Sequence, residues 1–349
     1  MIIVFIKLFE LVFYMLVLGI ESTAHSFGIG IIECKGMKGN ILFNQKSQFV
    51  DDENGMDLRK LSDFHTANFD SVLKSAKSFL KNELNKDFSD LDLISFSQGP
   101  GIGNSLKIGA LCAKTLALKY GVSIVGVNHI KAHLEIGKML TGMKDPMFLY
   151  VSGVNTQIIA KDEFGKYKVY GETEDIGMGN LFDSFARLSG LGFPGGPIIE
   201  KLALKSDESK FIELPYTIKG MNVSLAGIYS NLKQKIQKGG YGIEDLCYSL
   251  QENCFAMVME ICERAMAYTK KKEMIIVGGV ASNKRLTQMA KDMCREWKAK
   301  YDSFDMQYAM DNGAMIAWMG YVDRKRKQKP KKDITNLIPI PYINVESDL

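Results

Sequence analysis

The six cysteines (Cys34, Cys112, Cys247, Cys254, Cys262 and Cys294) include no Cys-x-x-Cys pair. That absence argues against a zinc ribbon and against a disulfide framework, since both need cysteines at short paired spacings. Most of the six fall in apolar helical patterns, which predicts buried free thiols in a reducing compartment and a cytoplasmic protein. Histidine is scarce, at four residues, and no His-Glu-x-x-His motif occurs, so the water-activating glutamate of a zincin-type metalloprotease is missing. Charge of one sign is not in large excess. The net charge of +4 permits a polyanionic partner without demanding one. Residues 1–14 are strongly apolar, but Lys7 and Glu10 interrupt them and no small-residue cleavage site follows. They are therefore expected to be an N-terminal extension or start-site artefact, with no membrane partner.

What is present is the composition of a soluble globular protein, 46% hydrophobic and 24% charged, in 349 residues, which is enough for two domains. The first domain is expected to begin at Met15. A buried strand over 16–20 ends in Glu21-Ser22-Thr23, and residues 26–32 form its hairpin partner. A strand at 41–49, a helix at 64–84, a strand at 91–96, a Gly-rich turn at 97–103, a helix at 105–120 and a strand at 122–127 follow. A second unit starts over with a strand at 147–151 and hairpin strands at 157–160 and 166–171. Helices are expected at 181–190, 197–205, 228–237 and 246–270, then a strand at 274–277 and a helix at 284–297. A last strand is expected at 304–308, with Asp311 opening a helix over 312–322. The repetition predicts two α/β lobes, 15–145 and 146–323, and a basic tail, 324–349, whose charges are solvated unless they meet nucleic-acid phosphates. A cleft between the lobes would gather the strand-end turns of both around one ligand.

The stretch Asn-His-Ile-Lys-Ala-His (128–133) organises the rest. Asn128 follows a strand and is a good helix N-cap. A helix starting there puts His129 and His133 on one face, four residues apart. Two imidazoles so placed can grip one divalent metal; two unrelated helix histidines is the ordinary alternative. The Gly-rich turn at 97–103 could bring backbone N–H groups to an anion, or be a plain strand–helix turn.

Further motifs follow in order: Gly-Ile-Glu-Ser-Thr-Ala (19–24), Gln-Gly-Pro-Gly-Ile-Gly (98–103) and Tyr-Val-Ser-Gly-Val-Asn-Thr-Gln (150–157). Next come Gly-Asn-Leu-Phe-Asp-Ser-Phe-Ala-Arg (179–187), Pro-Gly-Gly-Pro (194–197), Lys-Gly-Met (219–221), Gly-Gly-Val-Ala-Ser-Asn (278–283) and Asp-Asn-Gly-Ala-Met (311–315). With the histidine stretch they resemble the universal Kae1/TsaD/YgjD family, most closely its archaeal branch, from Met15 to about Val322. The resemblance implies an α/β protein of the actin-like ATPase (ASKHA) fold, in two lobes each with a mixed β-sheet flanked by helices. It implies an acyltransferase that moves the threonylcarbamoyl group from threonylcarbamoyl-adenylate to N6 of adenosine 37 in tRNAs reading ANN codons, giving t6A. It implies work within the KEOPS complex, with the Bud32 kinase, Cgi121 and Pcc1.

The family's metal ligands fall on His129, His133, Tyr150 and Asp311, with His129, His133 and Asp311 as the catalytic set. The implied cofactor is one Fe²⁺ per subunit, with Zn²⁺ or Mg²⁺ as alternatives, beside threonylcarbamoyl-adenylate or ATP in the cleft. Adenylate contacts fall on Tyr150, Val151, Ser152, Gly153, Val154, Asp183, Gly196, Glu200 and Asn283. Each has an ordinary reading beside the functional one. Asp311 and Asn283 could be helix caps, Tyr150 a core tyrosine, Asp183 and Glu200 solvated carboxylates, and Gly196 a turn glycine. Val154 stands where the family pattern has a second glycine, which keeps a nucleotide-binding scaffold with little activity as the alternative. The expected geometry is two imidazoles from one lobe and a carboxylate from the other, sharing one ion.

Overall fold

The computed structural model describes residues 14–50, 57–326, 334–347 and 349. Residues 1–13 of the expected extension and most of the basic run, 327–332, lie outside them. The first lobe opens with an antiparallel meander, β1 (Met15–Glu21), β2 (Ser26–Lys35) and β3 (Lys38–Gln48). Helix α1 (Leu58–Leu84) leads to β4 (Leu93–Gly99), α2 (Gly103–Tyr120), β5 (Ile124–Asn128) and α3 (His129–Thr141). The sheet order is β3-β2-β1-β4-β5, with β4 parallel to both β1 and β5. The parallel strands are covered on both faces, which is why they read as unbroken apolar runs.

The second lobe repeats the plan with β6 (Met147–Val151), β7 (Thr156–Lys161) and β8 (Tyr167–Glu172). Then come α4 (Met178–Leu188), α5 (Gly195–Ala203), a two-residue-strand hairpin of β9 (Ile218–Lys219) and β10 (Asn222–Val223), α6 (Ala226–Lys238) and α7 (Ile243–Thr269). The chain closes with β11 (Glu273–Val277), α8 (Lys284–Glu296), β12 (Lys300–Asp302), α9 (Met306–Ala309) and α10 (Gly313–Arg326). Read from its other edge, β8-β7-β6-β11-β12, the second sheet matches the order of the first strand for strand. The strand expected at 304–308 is not formed. Lys300–Asp302 pairs with β11 instead, and the Asp305 side chain accepts from Gln307 N, turning the following residues into the short α9.

Two elements cross between the lobes. Although it follows the second lobe in the chain, α10 packs on β1, β2 and β4 of the first. Ala314, Met315, Ile316, Ala317, Trp318 and Met319 are all buried, because first-sheet strands cover one side of the helix and α3 the other. Glycines make the approach possible: a Cβ on Gly19 would lie 2.2 Å from Ala317 N, and one on Gly30 2.1 Å from Ala314 N. The C-terminal segment is the second crossing. Expected as a solvated tail, its residues 334–347 instead lie across both lobes. Ile340 N donates to Gln98 O at 2.7 Å, and Val169 N to Glu346 Oε1 at 2.9 Å. All six cysteines are free and buried. Among the described residues no helix is long and apolar enough to cross a membrane.

Helix α3 serves both cores. Ala132 and Ile136 pack with Val17, Val127 and Trp318, while Ile130 and Leu134 pack with Phe148, Tyr150 and Val277. The remaining face carries the histidines. Gly30→Val should cost about 3 kcal/mol or more, since the added carbons meet backbone that cannot give way. Gly227→Ala, whose methyl meets only Pro215 Cβ at 4.0 Å, should change stability by less than about 1 kcal/mol. Urea unfolding midpoints compare the two.

Candidate metal centre

Asn128 ends β5, and its Oδ1 accepts from Ile130 N at 2.9 Å and Lys131 N at 3.1 Å. The expected cap is therefore in place, and His129 is the first helical residue. One turn later comes His133, the two ring centroids lying 4.7 Å apart. Both imidazoles are buried.

Asp311 arrives in the link between α9 and α10. The capping role expected for it belongs to its neighbour: Asn312 Oδ1 accepts from Met315 N at 3.0 Å. The Asp311 carboxylate is thus left to face the histidines, with Oδ1 3.1 Å from His133 Nε2 and 3.5 Å from His129 Nε2. One ligand atom from each of His129, His133 and Asp311 can be taken so that all lie within 4.8 Å of one another. Nitrogen–nitrogen–oxygen donors at this spacing suit a borderline divalent ion. The carboxylate comes from the crossover between lobes rather than from the body of the second.

Glu21, the last residue of β1, completes the centre. Sequence reasoning missed it, reading Glu21-Ser22-Thr23 only as the end of the first strand. Glu21 has no exposed surface, and its Oε2 lies 2.9 Å from His129 Nδ1. Its Oε1 accepts from both the backbone N–H and the hydroxyl of Thr23. The carboxylate thereby holds one His129 proton on Nδ1 and aims Nε2 at Asp311 and His133. The signal available in the sequence was an acidic residue closing an otherwise apolar strand.

The electrostatics favour a cation here. Burial works against a charged His129, yet Glu21 and Asp311 outweigh it and lift this imidazole well above its ordinary value. Burial lowers His133 and keeps it neutral. Burial would raise Asp311, but His129 and His133 hold its carboxyl well below the usual range. The His129 proton sits where a divalent ion would bring its charge. Tyr150 borders the cluster, its ring 5.5 Å from that of His133, and burial pushes its phenol up.

The residues expected around an adenylate lie in the second lobe. The Val151 side chain is in the core, so only its backbone could meet a ligand. Ser152, Gly153 and Val154 form the β6–β7 turn, which receives Gly179 N on Ser152 O and Asn180 N on Gly153 O. Val154 is 69% exposed and is not among the left-handed residues, so valine fits the turn without strain. Asp183 accepts from Gly195 N at 2.8 Å, and burial raises it. A Cβ on Gly196 would meet nothing within 4 Å. Glu200 and Asn283 both serve the start of α8, accepting from Lys284 N and from Arg285 N and Leu286 N. Asn283 thus follows its capping alternative, and it also donates to Gln251.

A family model described as "TsaD: tRNA N6-adenosine threonylcarbamoyltransferase" matches residues 40–318. The chain belongs to the TsaD family. A TsaD relative from Thermococcus sibiricus, a tRNA N6-adenosine threonylcarbamoyltransferase, is 47% identical over 306 residues, 88% of this chain and 91% of the relative. The namesake from Thermococcus kodakarensis is also 47% identical, covering 88% and 90%. A probable bifunctional tRNA threonylcarbamoyladenosine biosynthesis protein from Methanothermobacter thermautotrophicus is 44% identical over 93% of this chain, which spans only 59% of that protein. Solved structures add the fold. Full-length HypF in its phosphate- and nucleotide-bound form superposes with a TM-score of 0.60 at 11% identity, over 89% of this chain and 55% of that one. The (R)-2-hydroxyglutaryl-CoA dehydratase component A of Acidaminococcus fermentans gives 0.53 at 12% identity, covering 90% and 99%. The chain therefore has the ASKHA architecture that the family resemblance implied.

Two outcomes follow for metal binding. Glu21→Gln keeps a hydrogen-bond partner but removes the charge behind His129, and should weaken metal affinity by roughly 10- to 100-fold. Because an ion must displace the raised His129 proton, affinity should fall as pH falls and each binding event should release protons. Calorimetric titration in buffers of different ionisation enthalpy reads both.

Proposed function

We propose that this chain transfers the threonylcarbamoyl group from threonylcarbamoyl-adenylate to N6 of adenosine 37 in tRNAs that read ANN codons, in the cytoplasm. We further propose that it does so as the acyltransferase of a complex with Bud32, Cgi121 and Pcc1. The observation that carries the reading is the convergence of His129, His133 and Asp311 on one point, with Glu21 behind them. The 47% identity to transferases of that name supports the substrate class.

His129, His133 and Asp311, with Tyr150 beside them, would hold the ion, for which Fe²⁺ is our assignment. When bound, such an ion supplies Lewis-acid polarisation of the acyl oxygen and a fixed point for orientation. The remaining work belongs to the chain. Glu21 keeps His129 in the tautomer that faces the acyl group. The 152–154 turn would offer backbone groups to the adenylate phosphate, and the bare side of Gly196 leaves room for the nucleotide. Asp183 and Glu200 would accept from ribose hydroxyls, Glu200 giving up its bond to Lys284 N, and Asn283 holds the α8 start beside them. Adenosine 37 lies in a single-stranded loop, so its N6 can enter without opening a duplex. The N6–carbon bond forms, the carbon–oxygen bond to the phosphate breaks, and AMP leaves with the proton lost from N6 on its phosphate. No thiolate is called on: burial pushes Cys34 and Cys112 up to about 12. Catalysis rests on positioning and charge stabilisation. The unstrained turn at Val154 favours this reading over a scaffold with little activity.

The test is nucleoside analysis of tRNA incubated with threonylcarbamoyl-adenylate and the complex partners. The His129→Ala, His133→Ala double variant should lose about a thousandfold or more, matching several kcal/mol of transition-state stabilisation. Full t6A formation by that variant would take the histidines out of the mechanism.

A further inference from the structure

A row of three residues crosses the first sheet at its mouth. Glu21 pairs with Gly28 across β1 and β2, and Gly28 pairs with Lys46 across β2 and β3. Paired residues in neighbouring strands share a face of the sheet, so Glu21 and Lys46 flank a position that carries no side chain. Gly28 leaves space there, occupied in part by the start of α10: a Cβ on it would lie 3.2 Å from Gly313 N. Through this gap Lys46 reaches the metal centre. Its Nζ donates to the Asp311 main-chain oxygen at 3.1 Å.

That anchoring bond goes to a carbonyl, which occupies one of the three ammonium donors without neutralising the charge. The charge balance then points to an anion. The carboxylates of Glu21 and Asp311 offset a divalent ion, and histidines that ligate it are neutral. The Lys46 charge is left over, half-buried, where water screens it weakly. A partly desolvated surplus cation is a fixed attraction for a negative group on the ligand.

This step rests on the function proposed above. The acyl donor carries two anions, the adenylate phosphate and the threonyl carboxylate. The phosphate has its place at the second-lobe turn of Ser152–Val154. Lys46 stands on the first-lobe side of the histidines, where the acyl end would lie. The geometry points to Lys46 as the residue that binds the threonyl carboxylate and so selects acyl donors that bear one.

The experiment compares threonylcarbamoyl-adenylate with the donor in which the threonyl carboxylate is replaced by a carboxamide, using the full chain with its partners. Wild type should prefer the carboxylate donor by roughly 10- to 100-fold in kcat/KM, the range of one charge-assisted hydrogen bond. Lys46→Met should bring that preference down to within about threefold, chiefly through KM, with metal affinity no weaker than in wild type. Lys46→Arg should retain part of the preference. Equal slowing of both donors by Lys46→Met would make Lys46 a strut for the Asp311 link and overturn the assignment, as would a wild type indifferent to the carboxylate even if the methionine variant fails to fold. Absence of product from either donor with wild type would instead overturn the proposed function, and the assignment with it.

Discussion

A carboxylate with no surface in water has to be compensated, and Glu21 is compensated by His129 and Thr23. Burying a charge costs several kcal/mol even after relaxation, and an ion pair in the interior seldom repays that cost in stability. A fold selected for stability alone would put an apolar side chain at the end of β1. The chain instead buries Glu21, sets His129 against it, and brings Asp311 to the far side of the same ring. Two anions around one imidazole make a place where positive charge is favoured before any ligand arrives. Each other part of the centre can be described by how it serves that arrangement.

Delivery of Asp311 depends on backbone contact. α10 can rest on the first sheet because Gly19 and Gly30 expose bare backbone to Gly313, Ala314 and Ala317. The Ser95 hydroxyl reinforces the contact by donating to Ile316 O at 2.9 Å. The start of α10 is pinned by Asn312, which accepts from Met315 N and donates to Tyr308 O and Met310 O. The residue just before it is thereby aimed at the histidines. Asn128 does the corresponding task on α3, and its Nδ2 also donates to Asn344 O of the C-terminal segment. Two asparagine caps set the positions of all three candidate ligands.

What could be read in the sequence was mostly local. The strand before Asn128, the cap and the shared face of His129 and His133 depend on a few adjacent residues, and they stand where expected. The hairpin openings of both lobes were legible for the same reason, as alternation and turn chemistry. Glu21 and Lys46 were not, because their meaning lies in a register across three strands that no window along the chain contains. Asp311 was placed at the right helix start but one residue off in role: Asp and Asn both cap well, and only tertiary contact decides which does so. The edge strand was misplaced because β12 is three residues long, while the apolar Phe304 and Met306 beyond it made the stronger pattern. The C-terminal segment carries little periodicity, since it is held through backbone bonds to Gln98, Asn128 and Lys131.

The location of the centre also bears on how the lobes could move. α3 contributes Ala132 and Ile136 to one core and Ile130 and Leu134 to the other, and packed cores resist sliding. A relative rotation of the lobes is therefore easiest about α3, where displacement is smallest. The histidines sit on that helix, and Asp311 sits where the chain crosses back beside it. Glu21 and Lys46 belong to the sheet that α10 clamps. The turn at Ser152–Val154 and the helix starts at Gly195 and Lys284 belong to the other lobe. Motion of one lobe against the other would thus shift the second set against the first while the side chains of His129, His133 and Asp311 keep their spacing. An ion held by those three residues would therefore keep its coordination whether the lobes are open or closed.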